Sequence, residues 1–246
     1  MLGPFVPAAF GADARAMLAV SGPAVLSNLA TPVGAPYVTR SMALFGPAAV
    51  AGQATIDRIT PVAFGLVYAL TGAVGPIVAQ NLGAGRFDRV WSTLRDSMAF
   101  AVLAVIAAWG LLWLSQGWLV AIFSAQGATA DIVRLFCTWT AGSFAFVGAL
   151  YVSNAAFNNL GRPLLSTAFN WGRATLGTIP FVTLGVPYGP AGVMLGQAAG
   201  SVLFGTAAAA VAFRVAARLG REIPAASSQE TAAAGVFATL PANADR

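Results

Sequence analysis

The sequence predicts an all-α membrane protein, a bundle of six spanning helices, and three observations carry that expectation. Hydrophobic residues make up 58% of its 246 residues and charged residues only 9%, where a soluble domain carries roughly a quarter. Mean hydropathy is +0.76. Apolar runs close to the ~20 residues that a spanning helix needs recur along the chain, parted by short segments rich in Gly, Pro, Asn and Arg.

Charge narrows the classes further. The 13 basic residues are all arginine, histidine is absent, and the net charge is +5. No arginine cluster is interleaved with aromatics on a polar scaffold, so the basic balance marks loops on one membrane face and not a nucleic-acid surface. Without imidazole, histidine metal sites and histidine triads are excluded, and no metal or cofactor is expected. The single cysteine, Cys137, lies in an apolar run, so there is no disulfide framework and the redox compartment is left open.

Residues 1–14 carry no basic n-region and do not read as a signal peptide; residues 15–221 form the six-helix unit. The first span, 17–38, contains Pro23, Pro32 and Pro36 with Gly22 and Gly34, and is expected to kink. Such breaks persist in lipid where neighbouring helices or a wet cavity satisfy the freed backbone groups. Asn28, Thr31, Pro32 and Tyr37 are therefore candidates for a cavity wall or gate. The second span, 48–78, is interrupted by Asp57-Arg58 and kinked by Pro61, with Gly65, Gly72 and Gly75 suited to close helix contacts.

The loop Gln80-Asn81-Leu82-Gly83-Ala84-Gly85-Arg86 follows, with Gly83 expected to cap the helix and Arg86 beside its carbonyl end. After Asp88, Val90, Trp91, Leu94 and Met98 oppose Arg89, Thr93 and Asp96, the pattern of a helix lying along the membrane surface. The third span is 98–114, and 115–130 reads as an uncharged turn. Asp131 is the expected N-cap of the fourth span, 132–157, with Arg134 placed to pair with it. That span ends in Asn158-Asn159-Leu160-Gly161-Arg162-Pro163, which repeats the chemistry of the earlier loop on the same membrane face. The fifth span is 164–185 and the sixth 190–213, closed by Arg214, Arg218 and Arg221. Residues 222–246 read as a disordered tail.

Six spans can be oriented. One side holds Arg15, Arg86, Arg89, Arg95, Arg162, Arg214, Arg218 and Arg221, and the other holds Arg40, with Arg134 at a span edge. This asymmetry places both termini in the cytoplasm. Far from span ends, the ionisable groups are Asp57, Arg58 and Arg173. Charged residues at such depth cost roughly 2.5–3.5 kcal/mol on insertion scales and face protein or water. Ser166, Asn170, Arg173 and Gly177 follow i, i+4, i+7, i+11 and form one polar stripe. Asp57 and Arg58 point about 100° apart on a helix, so Asp57 is expected to pair with Arg173 across the bundle. The pair serves as a structural clasp or as part of a substrate or proton path. The clasp is favoured, because a carboxylate among two arginines stays ionised.

Several stretches now resemble one family. The proline-kinked first span, Ala48-Ala49-Val50-Ala51-Gly52, the run Gly75-Pro76-Ile77-Val78-Ala79-Gln80-Asn81-Leu82-Gly83-Ala84-Gly85-Arg86, and Ala155-Ala156-Phe157-Asn158-Asn159-Leu160-Gly161-Arg162-Pro163 resemble the multidrug and toxic compound extrusion (MATE) transporters over about residues 15–215. The likeness implies one six-helix lobe, the second of two that rock about a central cavity. It implies a first lobe, or a second copy, as partner within the lipid bilayer of the cell's inner (plasma) membrane. It also implies a secondary active antiporter for cationic or amphipathic compounds. Carboxylates used by the sodium-coupled branch on the spans matching 17–38 and 132–157 are missing here, so the resemblance favours proton coupling over sodium. Phe64, Tyr68, Phe144, Phe146 and Tyr151 are candidates for a cavity that receives lipophilic cations, with Asn154 nearby. Two alternatives stand beside this one. A lipid-linked saccharide flippase would want a more cationic cavity, and a membrane-embedded enzyme would want clustered acid, base or metal ligands.

Overall fold

The protein is described by a computed structural model that covers residues 7–238. It is all-helical among those residues, as a chain in lipid must be when no water can satisfy an open backbone. Six helical stretches are separated by turns. The first is α1 (Pro7–Ala43), the second joins α2 (Pro47–Ala63) to α3 (Gly65–Gly83), and the third is α4 (Phe87–Ile122). The fourth joins α5 (Gly127–Thr138) to α6 (Phe144–Asn159) through a 3-10 turn at Thr140–Ser143. The fifth joins α7 (Pro163–Gly172) to α8 (Ile179–Gly185) through a π-helical turn at Arg173–Gly177, and the sixth is α9 (Gly189–Ala238). Three stretches are thus broken internally, so six continuous helices are not found. Four segments are each long and apolar enough to cross a membrane: 65–83, 87–122, 140–159 and 163–221, the last doubling back at Gly189.

The breaks follow backbone chemistry. Pro61 cannot donate to the Asp57 carbonyl, and three residues later the helix lapses at Phe64 and restarts at Gly65. In contrast, α1 stays helical through Pro23, Pro32 and Pro36. It is held against the fifth stretch by Trp171 Nε1 donating to the Leu26 carbonyl (2.9 Å) and by the Tyr37–Thr183 hydroxyl pair (2.6 Å).

Several turns differ from expectation. The stretch from Arg89 to Met98 is not a separate surface helix but the first part of α4, which has no proline to break it. At 1.5 Å per residue α4 spans roughly 54 Å, so it projects beyond a ~30 Å hydrocarbon core at the end bearing Arg86, Arg89 and Arg95. The turn expected over 115–130 shrinks to 123–126. Gln126, not Asp131, precedes the first residue of α5, while the expected pairing of Asp131 with Arg134 does form, at 3.7 Å on the surface. α9 continues as helix to Ala238, through alanine-rich sequence of high helix propensity, where a disordered tail was expected; residues 239–246, like 1–6, lie outside the described residues.

Gly83 is not the cap. It is the last residue of α3, and Gly85 takes the left-handed conformation at φ +66°. Arg86 N–H donates to the Asn81 carbonyl (2.9 Å) and Gly85 N–H to the Leu82 carbonyl (3.0 Å), which is a Schellman motif. The end of α6 uses the same device: Gly161 has φ +73°, and Arg162 N–H reaches the Phe157 carbonyl at 2.8 Å. The shared capping chemistry is real, with Gly85 rather than Gly83 matching Gly161.

Two apolar cores stack along the bundle. One, around Met42, Ile56, Phe64, Val133 and Val193, lies toward the turns at 44–46, 123–126 and 186–188. The other, around Val78, Leu94, Leu150, Phe157 and Ala212, lies toward the turns at 84–86 and 160–162. Gly220 sits against Phe87, with a Cβ-to-Cβ approach of 3.3 Å for an added methyl. Hence Arg86, Arg89, Arg162, Arg214, Arg218 and Arg221 gather at one end of the bundle, opposite Arg40 and Arg134.

The closest helix contacts also lie elsewhere than expected. Gly65 and Gly72 have nothing within 4 Å of an added Cβ, while Gly75 meets the Asn159 side chain. It is α9 that comes in close: Gly192, Gly196 and Gly200 press on the backbone carbonyls of Gly185, Phe181 and Gly177. Their four-residue spacing makes the small-residue face on which spanning helices approach backbone to backbone.

Candidate functional site

The space between the first, second, fourth and fifth stretches is polar, unlike the bundle's outer surface. A cavity of about 560 Å³ is walled by Ser27, Asn28 and Thr31 of α1, Tyr68, Thr71, Gly75 and Pro76 of α3, Tyr151, Asn154, Asn158 and Asn159 of α6, and Ser166 and Asn170 of α7. A second compartment of about 300 Å³ holds Gln53, Asp57 and Thr60 of α2, Thr140 and Phe144, Arg173 of the π turn, and Gln197 and Ser201 of α9. Thr31, Tyr68 and Tyr151 line both, so the two compartments form one cleft with an aromatic waist. There the rings of Tyr68 and Tyr151 stand 5.6 Å apart, and Tyr68 meets Phe144 edge-on at 5.8 Å.

Backbone and side chains share in making the walls polar. Pro32 withholds the donor that the Asn28 carbonyl would have in a regular helix, and Pro61 does the same to Asp57. Both of those residues line the cleft. The π turn is closed by Thr178 Oγ1 donating to the Arg173 carbonyl at 2.9 Å. Such one-residue widenings are common at functional sites. Gly34 of α1 packs over it, 2.9 Å from the Ala174 carbonyl to an added Cβ.

Three side-chain atoms among the described residues are buried without a hydrogen-bond partner: Asn154 Oδ1, Thr140 Oγ1 and Arg173 Nε. All three belong to residues of the cleft wall. An orphaned buried polar atom costs about 1–3 kcal/mol, so this clustering marks the cleft as a place where a ligand or water completes the bonding.

The Asp57–Arg173 ion pair expected from sequence does not form. The two ion pairs among the described residues are Arg95–Asp96 and Arg134–Asp131. Asp57 Oδ1 instead accepts from Gln53 Nε2 at 2.9 Å, one helical turn away on the same face. Asp57 and Arg173 nevertheless line the same compartment. Of the polar stripe, Ser166, Asn170 and Arg173 face the cleft, but Gly177 packs on Phe204 and the Gly200 backbone. The π turn between them adds a residue and rotates the helix beyond it.

The remaining expected residues divide cleanly. Asn28, Thr31, Tyr68, Asn154 and Asn170 line the cleft. Pro32 is exposed beside it, and Tyr37 is engaged with Thr183. Phe64 is core, 1% exposed and stacked on Phe144 at 4.1 Å. Arg58 lies on the other side of α2, at an apolar groove of about 410 Å³ with Val62, Leu66, Leu111 and Leu119. Gln80, Asn81, Leu82, Gly83, Gly85 and Arg86 lie at the arginine-rich end and take no part in the cleft.

The sequence model of the MatE family matches residues 23–184. The chain belongs to the MatE family. Members of this family are membrane transporters and not enzymes. Among sequence relatives, an uncharacterized 21 kDa protein of Pseudomonas savastanoi is 35% identical over 182 residues, covering 74% of this chain and 60% of that protein. A FAD transporter of Shewanella oneidensis is 27% identical over 198 residues, covering 80% of this chain and 44% of the transporter. Among solved structures, the Vibrio cholerae MATE transporter VcmN in its bent form matches with TM-score 0.79 at 24% identity, over 85% of this chain and 48% of that one. The outward-facing conformation of a multidrug resistance MATE family transporter matches with TM-score 0.81 at 16% identity, over 90% of this chain and 50% of that one. The chain thus spans about half the length of the transporters it matches, which fits a single lobe.

In this MatE lobe the cleft is walled by amides, hydroxyls and aromatic rings, with one carboxylate and one guanidinium at one end. Such a wall can hydrogen-bond a polar group and stack a flat apolar one. Composition and spacing did not reveal Gln53, Asn158, Asn159, Gln197 or Thr140. Asn154 and Asn158 share a helix face at i, i+4, and that spacing was the available signal.

Proposed function

We propose that this chain is one lobe of a secondary active antiporter that exports cationic or amphipathic compounds by alternating access, driven by protons. The observation that carries the reading is the polar cleft with its aromatic waist and its three orphaned polar atoms, set inside a bundle whose outer surface is apolar. Family membership supports transport as the activity, and coverage of about half of each related transporter supports the need for a partner lobe. That partner is a first lobe or a second copy of the chain. The arginine-rich end supports an orientation in the plasma membrane with both termini cytoplasmic. Asp57 is the carboxylate within this cleft to which a cationic group is drawn, while the coupling carboxylates of the first lobe lie on the partner.

The test is efflux of ethidium from cells that express the chain alone and together with a first lobe. Export that depends on the chain, and that collapses when the proton gradient is dissipated, supports the reading. Equal ethidium retention with and without the chain in both settings sinks it.

A second reading rests on the relative named for FAD transport. An anionic dinucleotide with a flat ring system would use Arg173 and the aromatic waist in place of Asp57. Export of FAD but not of ethidium would select it.

A further inference from the structure

The smaller compartment of the cleft holds one negative and one positive side chain that do not satisfy each other. Asp57 and Arg173 both line its roughly 300 Å³, and no ion pair joins them. Asp57 keeps a neutral partner, Gln53, which occupies one oxygen only. Arg173 keeps its Nε buried and unpartnered. Thr140 adds a second orphaned polar atom, its hydroxyl, to the same wall. Phe144, Tyr68 and Tyr151 line the same compartment.

A purely cationic ligand here would gain from Asp57 but face Arg173. A purely anionic ligand would gain from Arg173 but face Asp57. In a compartment of only about 300 Å³ a ligand lies close to both charges, well within a Debye length, so neither repulsion is fully screened. One class of ligand avoids both: a zwitterion that carries an ammonium and a carboxylate on one aromatic scaffold. Its carboxylate would take up the guanidinium donors in a charge-assisted hydrogen bond. Its ammonium would bond the free oxygen of Asp57, and its ring would lie on the Tyr68–Tyr151 waist.

We propose that Asp57 and Arg173 form a two-pole recognition site for zwitterionic aromatic compounds, so that the preferred cargo of this lobe carries both charges. The proposal narrows the exporter reading and rests on it for the word cargo, but the site itself can be tested by binding alone.

The experiment uses the purified chain in lipid nanodiscs and three probes that share an indole ring: tryptophan as the zwitterion, tryptamine as the cation and indole-3-propionate as the anion. Binding is measured by equilibrium dialysis. Tryptophan is expected to bind at least about tenfold more tightly than either singly charged probe, since a hydrogen bond to a charged group is worth enough for that factor. Asp57→Asn should weaken tryptophan and tryptamine about tenfold and spare or improve indole-3-propionate. Arg173→Gln should weaken tryptophan and indole-3-propionate and spare or improve tryptamine. The retained probe in each variant reports that the fold is intact, and Arg173→Lys should restore part of the tryptophan affinity. Equal affinity for the three probes, no binding of any, or tryptophan binding indifferent to both variants would overturn the proposal. Chain-dependent ethidium export alongside any of those outcomes would leave the exporter reading standing while the two-pole site fell.

Discussion

Gly200→Ala is the sharpest test of how this bundle is held together. An added Cβ at Gly200 lands on the backbone carbonyl of Gly177, far inside contact distance, and 3.0 Å from the Gly177 Cα. A comfortable non-bonded separation is about 3.5 Å. Both obstructing groups are backbone, so no rotamer change relieves the clash, and α9 must move away from the π turn by about 1 Å or more. A gap of that order forfeits roughly a quarter to a half of each facing atom's attraction. The same movement loosens Gly192 on Gly185 and Gly196 on Phe181 along the seam. Overpacking costs about 1–3 kcal/mol, and with backbone on both sides the expectation is the upper end. That is about 3 kcal/mol, or roughly a hundredfold in the folded-to-unfolded ratio. Gly72→Ala serves as the control, because nothing lies within 4 Å of its Cβ. It should be neutral or more stable by about 0.5–1 kcal/mol, through relief of glycine's entropic cost in a helix. The assay is reversible SDS-induced unfolding in mixed micelles, followed by tryptophan fluorescence. If Gly200→Ala unfolds at the same SDS fraction as the parent, the close seam between α9 and the fifth stretch is refuted.

Further outcomes rest on single observations. Gly85→Ala should destabilise by about 1–2 kcal/mol, since Gly85 occupies the left-handed region, whereas Gly83→Ala should not, since Gly83 is helical; the same SDS titration separates them. Phe64→Ala should cost about 3–5 kcal/mol because the ring is fully buried against Phe144, and tryptamine affinity of the folded fraction should be unchanged. Asn154→Leu removes a buried oxygen with no partner, so its stability in the same titration should hold or rise by about 1–3 kcal/mol, while ethidium export falls several-fold.

Much of this architecture was legible in the residues, and the parts that were not have physical causes. The alternation of six helical stretches with short turns and the gathering of Arg86, Arg162 and Arg214 at one end follow from hydropathy and charge, and the place of Ser166, Asn170 and Arg173 on the cleft wall follows from helical spacing. The prolines of α1 do not end the helix, which runs unbroken from Pro7 to Ala43, with hydrogen bonds to Trp171 and Thr183 tying it to the fifth stretch. Gly83 misled because it precedes a second glycine, and only hydrogen-bond geometry tells which one turns left-handed. The Asp57–Arg173 pairing misled because a closer amide, Gln53 at i−4, satisfies the carboxylate without crossing the bundle. The π turn at Arg173 leaves no mark in hydropathy or spacing, yet it decides that Gly177 leaves the polar stripe. The close seam was visible in principle, since Gly192, Gly196 and Gly200 recur at the spacing of a small-residue helix face.

The central claim is that a water-filled polar cleft runs inside a lipid-facing bundle, and cysteine accessibility measures it directly. With the buried Cys137 replaced by serine, Asn158→Cys in the cleft wall and Leu103→Cys on the apolar surface of α4 would each be exposed to a membrane-impermeant maleimide in intact vesicles. Rapid labelling at position 158 with protection at position 103 is the expected result. Equal labelling of the two, or labelling at 103 alone, would contradict the claim.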